Sequence, residues 1–212
     1  MNIYKSVFAI CLGVMTLSGC ATRFVQNYEG VAPDLIVKTT NDLSLGVVDV
    51  RPDILDGSRP ACTVGLKHHG MLEFRDIDIY TTDCKPFSDT VCETVENALK
   101  IRNVKVTPVS LSNGTSEVDA IKILGQTGRK SILVTVRQWD AATFNQTKLR
   151  YELQLSVFDS DGKKLASKTV SGTEKTKRIV KQPMDYAQQF VGKVYKQKLE
   201  ELFNDPEMAK QF

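Results

Sequence analysis

The most regular alternation of hydrophobic and polar residues lies in positions 149–157. Odd positions there are leucine, tyrosine or valine, and even positions are arginine, glutamate, glutamine or serine. A period of two predicts a strand with one buried face. The turn residues of 159–162 and a second strand-like segment, 165–172, follow directly. This arrangement predicts an antiparallel β-hairpin.

Other segments predict a mixture of strands and helices. Runs of β-branched and apolar residues predict buried strands over 43–50 and 132–139, and weaker strands over 62–66, 72–80 and 104–109. Apolar residues at helical spacing predict helices over 86–102, 117–124 and 184–203. The order of these elements predicts an α/β sandwich, in which helices pack on a mixed β-sheet and a long amphipathic helix ends the domain.

The first twenty residues have the pattern of a targeting segment. Lys5 precedes an apolar stretch over 7–17, which is shorter than the roughly 20 residues of a membrane span. The following Leu17-Ser18-Gly19-Cys20 resembles a bacterial lipobox, although an ordinary secretory signal with a chance cysteine is the alternative. The resemblance implies cleavage after residue 19, a diacylglyceryl group on Cys20 and, from Ala21, sorting to the outer membrane.

The remaining chain is expected to form one domain. Its 42% hydrophobic and 25% charged residues are typical of a globular protein. We expect a signal peptide over 1–19, a lipidated and polar tether over 20–42, and a single periplasmic α/β domain over 43–212. The net charge of +3 gives no reason to expect a nucleic-acid partner.

Three cysteines remain if Cys20 is acylated and the signal peptide is removed. The odd number allows one disulfide bond in an oxidising compartment. Cys62 and Cys84 flank a predicted hairpin and are the expected pair, and Cys84–Cys92 is the alternative. Cys92 falls on the apolar stripe of a predicted helix and is interpreted as a small buried residue.

Two short motifs connect the chain to known bacterial proteins. The segment Leu45-Gly46-Val47-Val48-Asp49-Val50-Arg51, followed by Val64-Gly65-Leu66, resembles the opening of YajG-type outer-membrane lipoproteins. The strand at 132–139, the hairpin around Asp161-Gly162 and the ending at 203–206 are similar to proteins with a TolB amino-terminal-like domain. The resemblance implies this α/β fold and carries over no catalytic residue.

No motif predicts catalysis or a cofactor other than the lipid on Cys20. Potential metal ligands do cluster within 23 residues, namely Cys62, His68, His69, Asp76, Asp78 and Cys84. Their spacing differs from that of zinc sites, and adjacent histidines in a strand point to opposite faces. We therefore predict no metal site and no enzyme activity.

Charge is distributed unevenly along the chain. Residues 34–96 include 12 acidic and 6 basic residues, and residues 163–198 include 10 basic and 2 acidic residues. The densest basic segment has four cations, Lys175, Lys177, Arg178 and Lys181. We expect these side chains either to be simply solvated or to contact an anionic partner, such as lipid headgroups or an acidic protein. The two segments could also attract each other between copies of the chain.

These observations predict an outer-membrane-anchored periplasmic lipoprotein with a non-catalytic role. It would bind, scaffold or help to assemble another component of the cell envelope. The alternative hypothesis is a periplasmic lipoprotein that binds a small ligand or a metal through its cysteine and histidine hairpin.

Overall fold

A computed structural model describes residues 24–39, 41–68, 76–178 and 183–212. The strands are β1 (Phe24–Gln26), β2 (Leu43–Asp49), β3 (Thr63–Lys67), β4 (Ile77–Thr81), β5 (Val106–Pro108), β6 (Ser131–Thr143), β7 (Thr147–Phe158) and β8 (Lys164–Lys175). The α-helices are α1 (Pro52–Leu55), α2 (Phe87–Ile101), α3 (Glu117–Gly125), α4 (Met184–Phe203) and α5 (Pro206–Ala209). The predicted class, a mixed sheet with packed helices and a long helix near the end, is confirmed.

The sheet forks at β6, which is 13 residues long. Along one edge of β6, the first half pairs with β2 and the last three residues pair with β3, both in parallel. The other edge of β6 pairs antiparallel with β7 over its whole length, and β7 pairs with β8. One branch therefore ends in β5 and the other continues through β3 and β4 to β1.

The larger hydrophobic core lies between the sheet and helices α2 and α4. A smaller cluster on the other face packs α3 against the sheet, and its buried members are Val48, Ala120, Leu124, Leu133 and Phe158. Consecutive residues of β6 contribute to the two faces in turn, because side chains alternate along a strand. Within the described ranges, no helix combines the length and apolar character that crossing a bilayer requires.

The extent of β6 differs from the prediction. The sequence predicts a strand over 132–139, whereas β6 continues to Thr143. The pairing with β7 shifts register between Val136 and Gln138, so one extra residue breaks the alternation. Beyond this bulge the residues that face the core are Trp139 and Ala141. The alternation has therefore changed phase, and the sequence pattern no longer indicates a strand.

The predicted tether over 20–42 is wrong for the part that the structure describes. Phe24–Gln26 forms β1 and pairs in parallel with β4. Tyr28, Leu35 and Val37 are buried in the main core. The Asn204 side chain accepts a hydrogen bond, at 2.6 Å, from a backbone amide in the segment 34–36. It donates another, at 2.8 Å, to a backbone carbonyl of the same segment. The segment from residue 24 to residue 39 is therefore part of the folded domain, which the sequence predicts to start at residue 43.

Candidate functional site

The Asp49 carboxylate and the Arg51 guanidinium form a buried ion pair at the end of β2. Arg51 Nη2 lies 2.6 Å from Asp49 Oδ2, and Arg51 Nε lies 2.9 Å from Asp49 Oδ1. Through Nη1, the same guanidinium donates to the backbone carbonyls of Thr63 and Trp139, at 2.6 and 3.2 Å. These contacts tie β2 to β3 and β6, so the motif that ends in Asp49-Val50-Arg51 stabilises the fold.

An aromatic cluster fixes the N-terminal segment in the core. Trp139 Nε1 donates a hydrogen bond to Tyr28 Oη at 2.8 Å. The Tyr28 ring lies 4.8 Å from that of Tyr195 and 5.4 Å from that of Phe87, measured between centroids. Burial raises the pKa of both Tyr28 and Tyr195 far above the usual range, so both hydroxyls stay neutral. The cluster is a packing element and leaves no reactive phenolate.

The cysteines are arranged as the first of the two alternatives predicts. Cys62 and Cys84 form a disulfide bond, with 4.9 Å between their Cα atoms. The bond closes the base of the β3–β4 hairpin, and Cys92 is left as a free thiol. Burial, with smaller contributions from Glu96 and other acidic neighbours, raises the pKa of Cys92 to about 12. A thiol with this pKa is a poor nucleophile at neutral pH.

The candidate metal ligands of the hairpin lie at its two ends. Cys62 and Cys84 are joined at the base, while His68 and Asp76 meet at the far end, with His68 Nδ1 2.8 Å from Asp76 Oδ1. Strand β3 separates these ends by roughly 16 Å, at about 3.3 Å per residue. His69 lies outside the described residues. In the part of the chain that is described, no three His, Cys, Asp or Glu side chains are grouped around a common metal position.

Six strands share one end of the sheet. In spatial order they are β1, β4, β3, β6, β7 and β8, and at this end β1, β4 and β7 begin while β3, β6 and β8 stop. β1 therefore starts, on the side toward Cys20, at this end of the sheet. The basic segment that follows β8 leaves the sheet at the same end. We call this the basic end, and its cations are Lys67, Lys148, Lys175, Lys177 and Arg178.

Three threonines hold the strand ends together there. The hydroxyls of Thr143 and Thr147 lie 3.1 Å apart across the β6–β7 turn. Thr176 accepts from the Thr147 amide through its hydroxyl and donates its own amide to the Thr147 carbonyl, both at 3.0 Å. On the other side, the His68 amide donates to the Thr143 carbonyl at 2.9 Å. The turn is thus fixed between the end of β3 and the basic segment.

Four cations of the basic end form no ion pair with any described residue. Lys148, Lys175, Lys177 and Arg178 are all exposed, and the register of the hairpin places Lys148 directly opposite Lys175. Phe144, at the tip of the β6–β7 turn, is 50% exposed. The structure thus adds one further cation, Lys148, and one exposed aromatic residue, Phe144, to the surface formed by the predicted cations. Lys181 and the lipidation residue Cys20 lie outside the described residues.

Few acidic residues lie at or near this end among the described residues, and two of them already contact basic side chains. Asp76 contacts His68, and Glu174 lies 3.5 Å from Lys198. Asp185 lies in the exposed first turn of α4. Lys67 differs from the other cations because its Nζ lies over the Phe24 ring, 3.9 Å from the centroid. This cation–π contact places a positive charge beside the first described residue of the chain.

Charges elsewhere on the sheet largely satisfy one another. On the face opposite the main core, Arg59 lies 2.6 Å from Asp78 and 3.3 Å from Asp53. Asp140 pairs at 2.6 Å with Arg150. Such pairs leave little net charge for a ligand on this face.

The acidic segment 34–96 is partly neutralised by nearby cations. Glu93 pairs with Lys85 at 2.7 Å, and Glu96 pairs with Lys100 at 2.6 Å. These pairs weaken the attraction that head-to-tail association between copies would need. Self-association remains a prediction.

Comparisons with known proteins identify the fold. No family model matches the chain, and no curated protein matches it in sequence. Protein XCC0632 from Xanthomonas campestris, of family DUF330, aligns with a TM-score of 0.52 at 12% identity, over 88% of this chain and 96% of that one. An uncharacterised protein gives a TM-score of 0.45 at 10% identity, over 86% of this chain and 97% of that chain.

Lipoprotein GNA1162 from Neisseria meningitidis gives a TM-score of 0.39 at 13% identity, over 74% of this chain and 96% of that one. Both scores below 0.5 are too low to support an inference. At 12% identity, the likeness to the Xanthomonas protein concerns the fold alone. The chain therefore shares its mixed α/β architecture with that bacterial protein.

Proposed function

We propose that the protein is a lipid-anchored, non-catalytic binding or scaffold component of the bacterial cell envelope, related to the YajG-type lipoproteins. The anchor would be a diacylglyceryl group on Cys20, and Ala21 favours the outer membrane as its destination. The observation that carries the proposal is the position of β1. It begins at Phe24, four residues after Cys20, at the end of the sheet that carries an exposed phenylalanine and four cations with no ion pair to a described residue.

The short connection determines how far the domain can be from the lipid. Four residues of extended chain span at most about 14 Å, at 3.3–3.6 Å per residue. Cys20 at the membrane surface would therefore keep Phe24 within that distance of the headgroups. A domain held this close is well placed to bind or position another envelope component beside the membrane.

A non-catalytic role is supported by what the candidate reactive groups do. Cys62 and Cys84 are bonded to each other, and the raised pKa of Cys92 keeps its thiol protonated. Asp49 and Arg51 form hydrogen bonds with each other, and Arg51 also donates to backbone carbonyls. Each of these groups has a structural role.

Lipidation is tested with the full-length chain in a Gram-negative host supplied with radiolabelled palmitate. We expect the label in the wild-type chain, its loss in Cys20→Ser, and an unprocessed precursor of that variant. Cys92→Ser is the matched control and should be labelled like the wild type. Retention of the label in Cys20→Ser, or cleavage at another residue, would contradict the proposal.

The scaffold role is tested by crosslinking in cells and purification of the full-length lipoprotein. We expect one envelope protein to be recovered in a fixed ratio with the wild type and at a much lower level with Cys20→Ser. Equal recovery from both strains would show that the anchor is irrelevant to binding. Absence of any protein recovered above background would argue against a stable assembly.

A further inference from the structure

We propose that the basic end is a second membrane contact, which docks on the anionic phosphate groups of lipid headgroups while Phe144 inserts among them. This inference rests on the proposed lipid anchor at Cys20 and adds to it a defined orientation of the domain. It is supported by the four cations that form no ion pair with a described residue, the exposed aromatic side chain and the position of the anchor.

Four of the five cations at the basic end have no acidic partner among the residues that the structure describes. Lys148, Lys175, Lys177 and Arg178 are exposed and form no ion pair among the described residues, unlike Arg59 and Arg150 on the sheet face. A cluster of basic residues close to a membrane anchor attracts anionic lipids, with roughly a fivefold gain in binding for each residue at the surface. Four such residues make an attraction that anionic headgroups match in sign.

Phe144 is placed to enter the interfacial layer. It is the first residue after β6, in a turn that the paired hydroxyls of Thr143 and Thr147 brace. It is 50% exposed, so a large apolar surface faces outward from this turn. An aromatic residue surrounded by cations is typical of segments that lie in the membrane interface.

The geometry favours a lipid over an acidic protein as the occupant. Strands β1 and β8 lie five strand spacings apart, or roughly 24 Å. An anchor at Cys20, at most about 14 Å from Phe24, would hold the β1 end of this row close to the bilayer. In the proposed orientation the whole basic end faces this bilayer, and the strands stand away from its surface.

The opposite end of the sheet provides a matched control. It lies roughly 40 Å away along the 13 residues of β6 and also carries cations, among them Arg129, Lys163 and Lys164. Acidic residues, including Asp159 and Asp161, adjoin those cations. Removing three charges from either end changes the net charge equally, and only one of the two changes affects the proposed contact.

The test uses the mature chain, residues 20–212, with Cys20→Ser so that no lipid holds it to the membrane. All described strands and helices lie within this chain. Its partition is measured by co-sedimentation with vesicles of phosphatidylethanolamine and phosphatidylglycerol, and with vesicles of phosphatidylcholine alone. The variants are the triple change Lys175→Gln, Lys177→Gln and Arg178→Gln, the single change Phe144→Ser, and the triple control Arg129→Gln, Lys163→Gln and Lys164→Gln.

We expect binding to the anionic vesicles only, decreasing as salt is added. The basic-end triple variant should bind on the order of 100-fold more weakly, as three fivefold losses predict. Phe144→Ser should bind several-fold more weakly, and the control variant should bind like the parent chain.

Equal binding to both kinds of vesicle would overturn the proposal, as would equal losses in the two triple variants. No binding to anionic vesicles would also overturn it and would leave an acidic protein as the partner of these cations. The palmitate experiment reports separately on the anchor. If the chain is labelled with palmitate and its unlipidated form does not bind anionic vesicles, this inference is refuted while the proposed function stands.

Discussion

Trp139 donates a hydrogen bond from its indole nitrogen to the hydroxyl of Tyr28, 111 residues earlier in the chain, at 2.8 Å. Both side chains are almost completely buried, and the bond joins the segment that follows β1 to the centre of β6. The segment that follows β1 is thereby part of the core. A mechanical force applied to the chain before β1 is therefore transmitted directly to the sheet.

Tyr28→Phe should lower the free energy of unfolding by about 1–3 kcal/mol. The substitution keeps the ring and removes the acceptor, so the buried indole N–H of Trp139 has no partner. Urea unfolding followed by Trp139 fluorescence measures the change. Tyr186→Phe is the control, because Tyr186 is 47% exposed and its substitution should have little effect. A stability of Tyr28→Phe equal to that of the wild type would show that the hydrogen bond contributes nothing.

Arg51→Met should be strongly destabilising, by about 3–5 kcal/mol, because it leaves the buried Asp49 carboxylate without its cation. The double variant Asp49→Leu and Arg51→Met removes both charges and should recover part of this loss. It should not recover all of it, since the carbonyls of Thr63 and Trp139 still lack a donor. Chemical denaturation of both variants decides the point. A double variant less stable than Arg51→Met would argue against an unpaired charge as the cause.

Gly65→Ala should destabilise the protein by about 1–3 kcal/mol through overpacking. A Cβ atom at Gly65 would collide with the backbone carbonyl of Ala141, where β3 pairs with β6. Gly46→Ala, also in a strand, is the matched comparison. The atoms nearest to its Cβ would be the ends of the Leu111 and Leu124 side chains, at 3.1 Å, and these can move. Equal losses of thermal stability in the two variants would contradict the assigned role of the Ala141 carbonyl.

Cys92 should react slowly with iodoacetamide in the folded protein. With Cys20→Ser and the disulfide intact, it is the one thiol of the mature chain. Its pKa is raised to about 12, so the reactive thiolate fraction should increase about tenfold per pH unit from pH 8 to pH 10 without levelling off. In denaturing urea the rate should level off near pH 9, as for an ordinary thiol. A plateau near pH 9 in the folded protein would show that burial does not protect this thiol.

Much of the fold was accessible from local patterns. The alternation at 149–157 predicted β7, and the helical spacing of apolar residues predicted α4 with the bounds Met184–Phe203. Both elements are long and bury one face, so the sequence carries many repeats of the period. The position of Cys62 and Cys84 on either side of a short hairpin predicts the disulfide bond that the structure contains.

Other features depend on contacts between distant segments. Strand β1 has three residues, too few to show a period, and its partner β4 lies more than 50 positions later. The basic segment around Lys177 was visible as a run of cations, whereas Lys148 and Phe144 joined it only through the register of β6, β7 and β8. The role of Gly65 likewise depends on how closely β6 approaches, which no local pattern records.

The parallel pairing of β1 with β4 has a mechanical consequence. A force that pulls the domain away from an anchor at Cys20 acts along β1, because the chain leaves that strand at Phe24. The inter-strand hydrogen bonds are then strained in shear and must break together, whereas a pull across the strands would open them one at a time. Tyr28, buried just behind β1, adds its packing to this resistance. With the lipid on Cys20 that we propose, the first five residues of the described chain would carry the tension between membrane and domain.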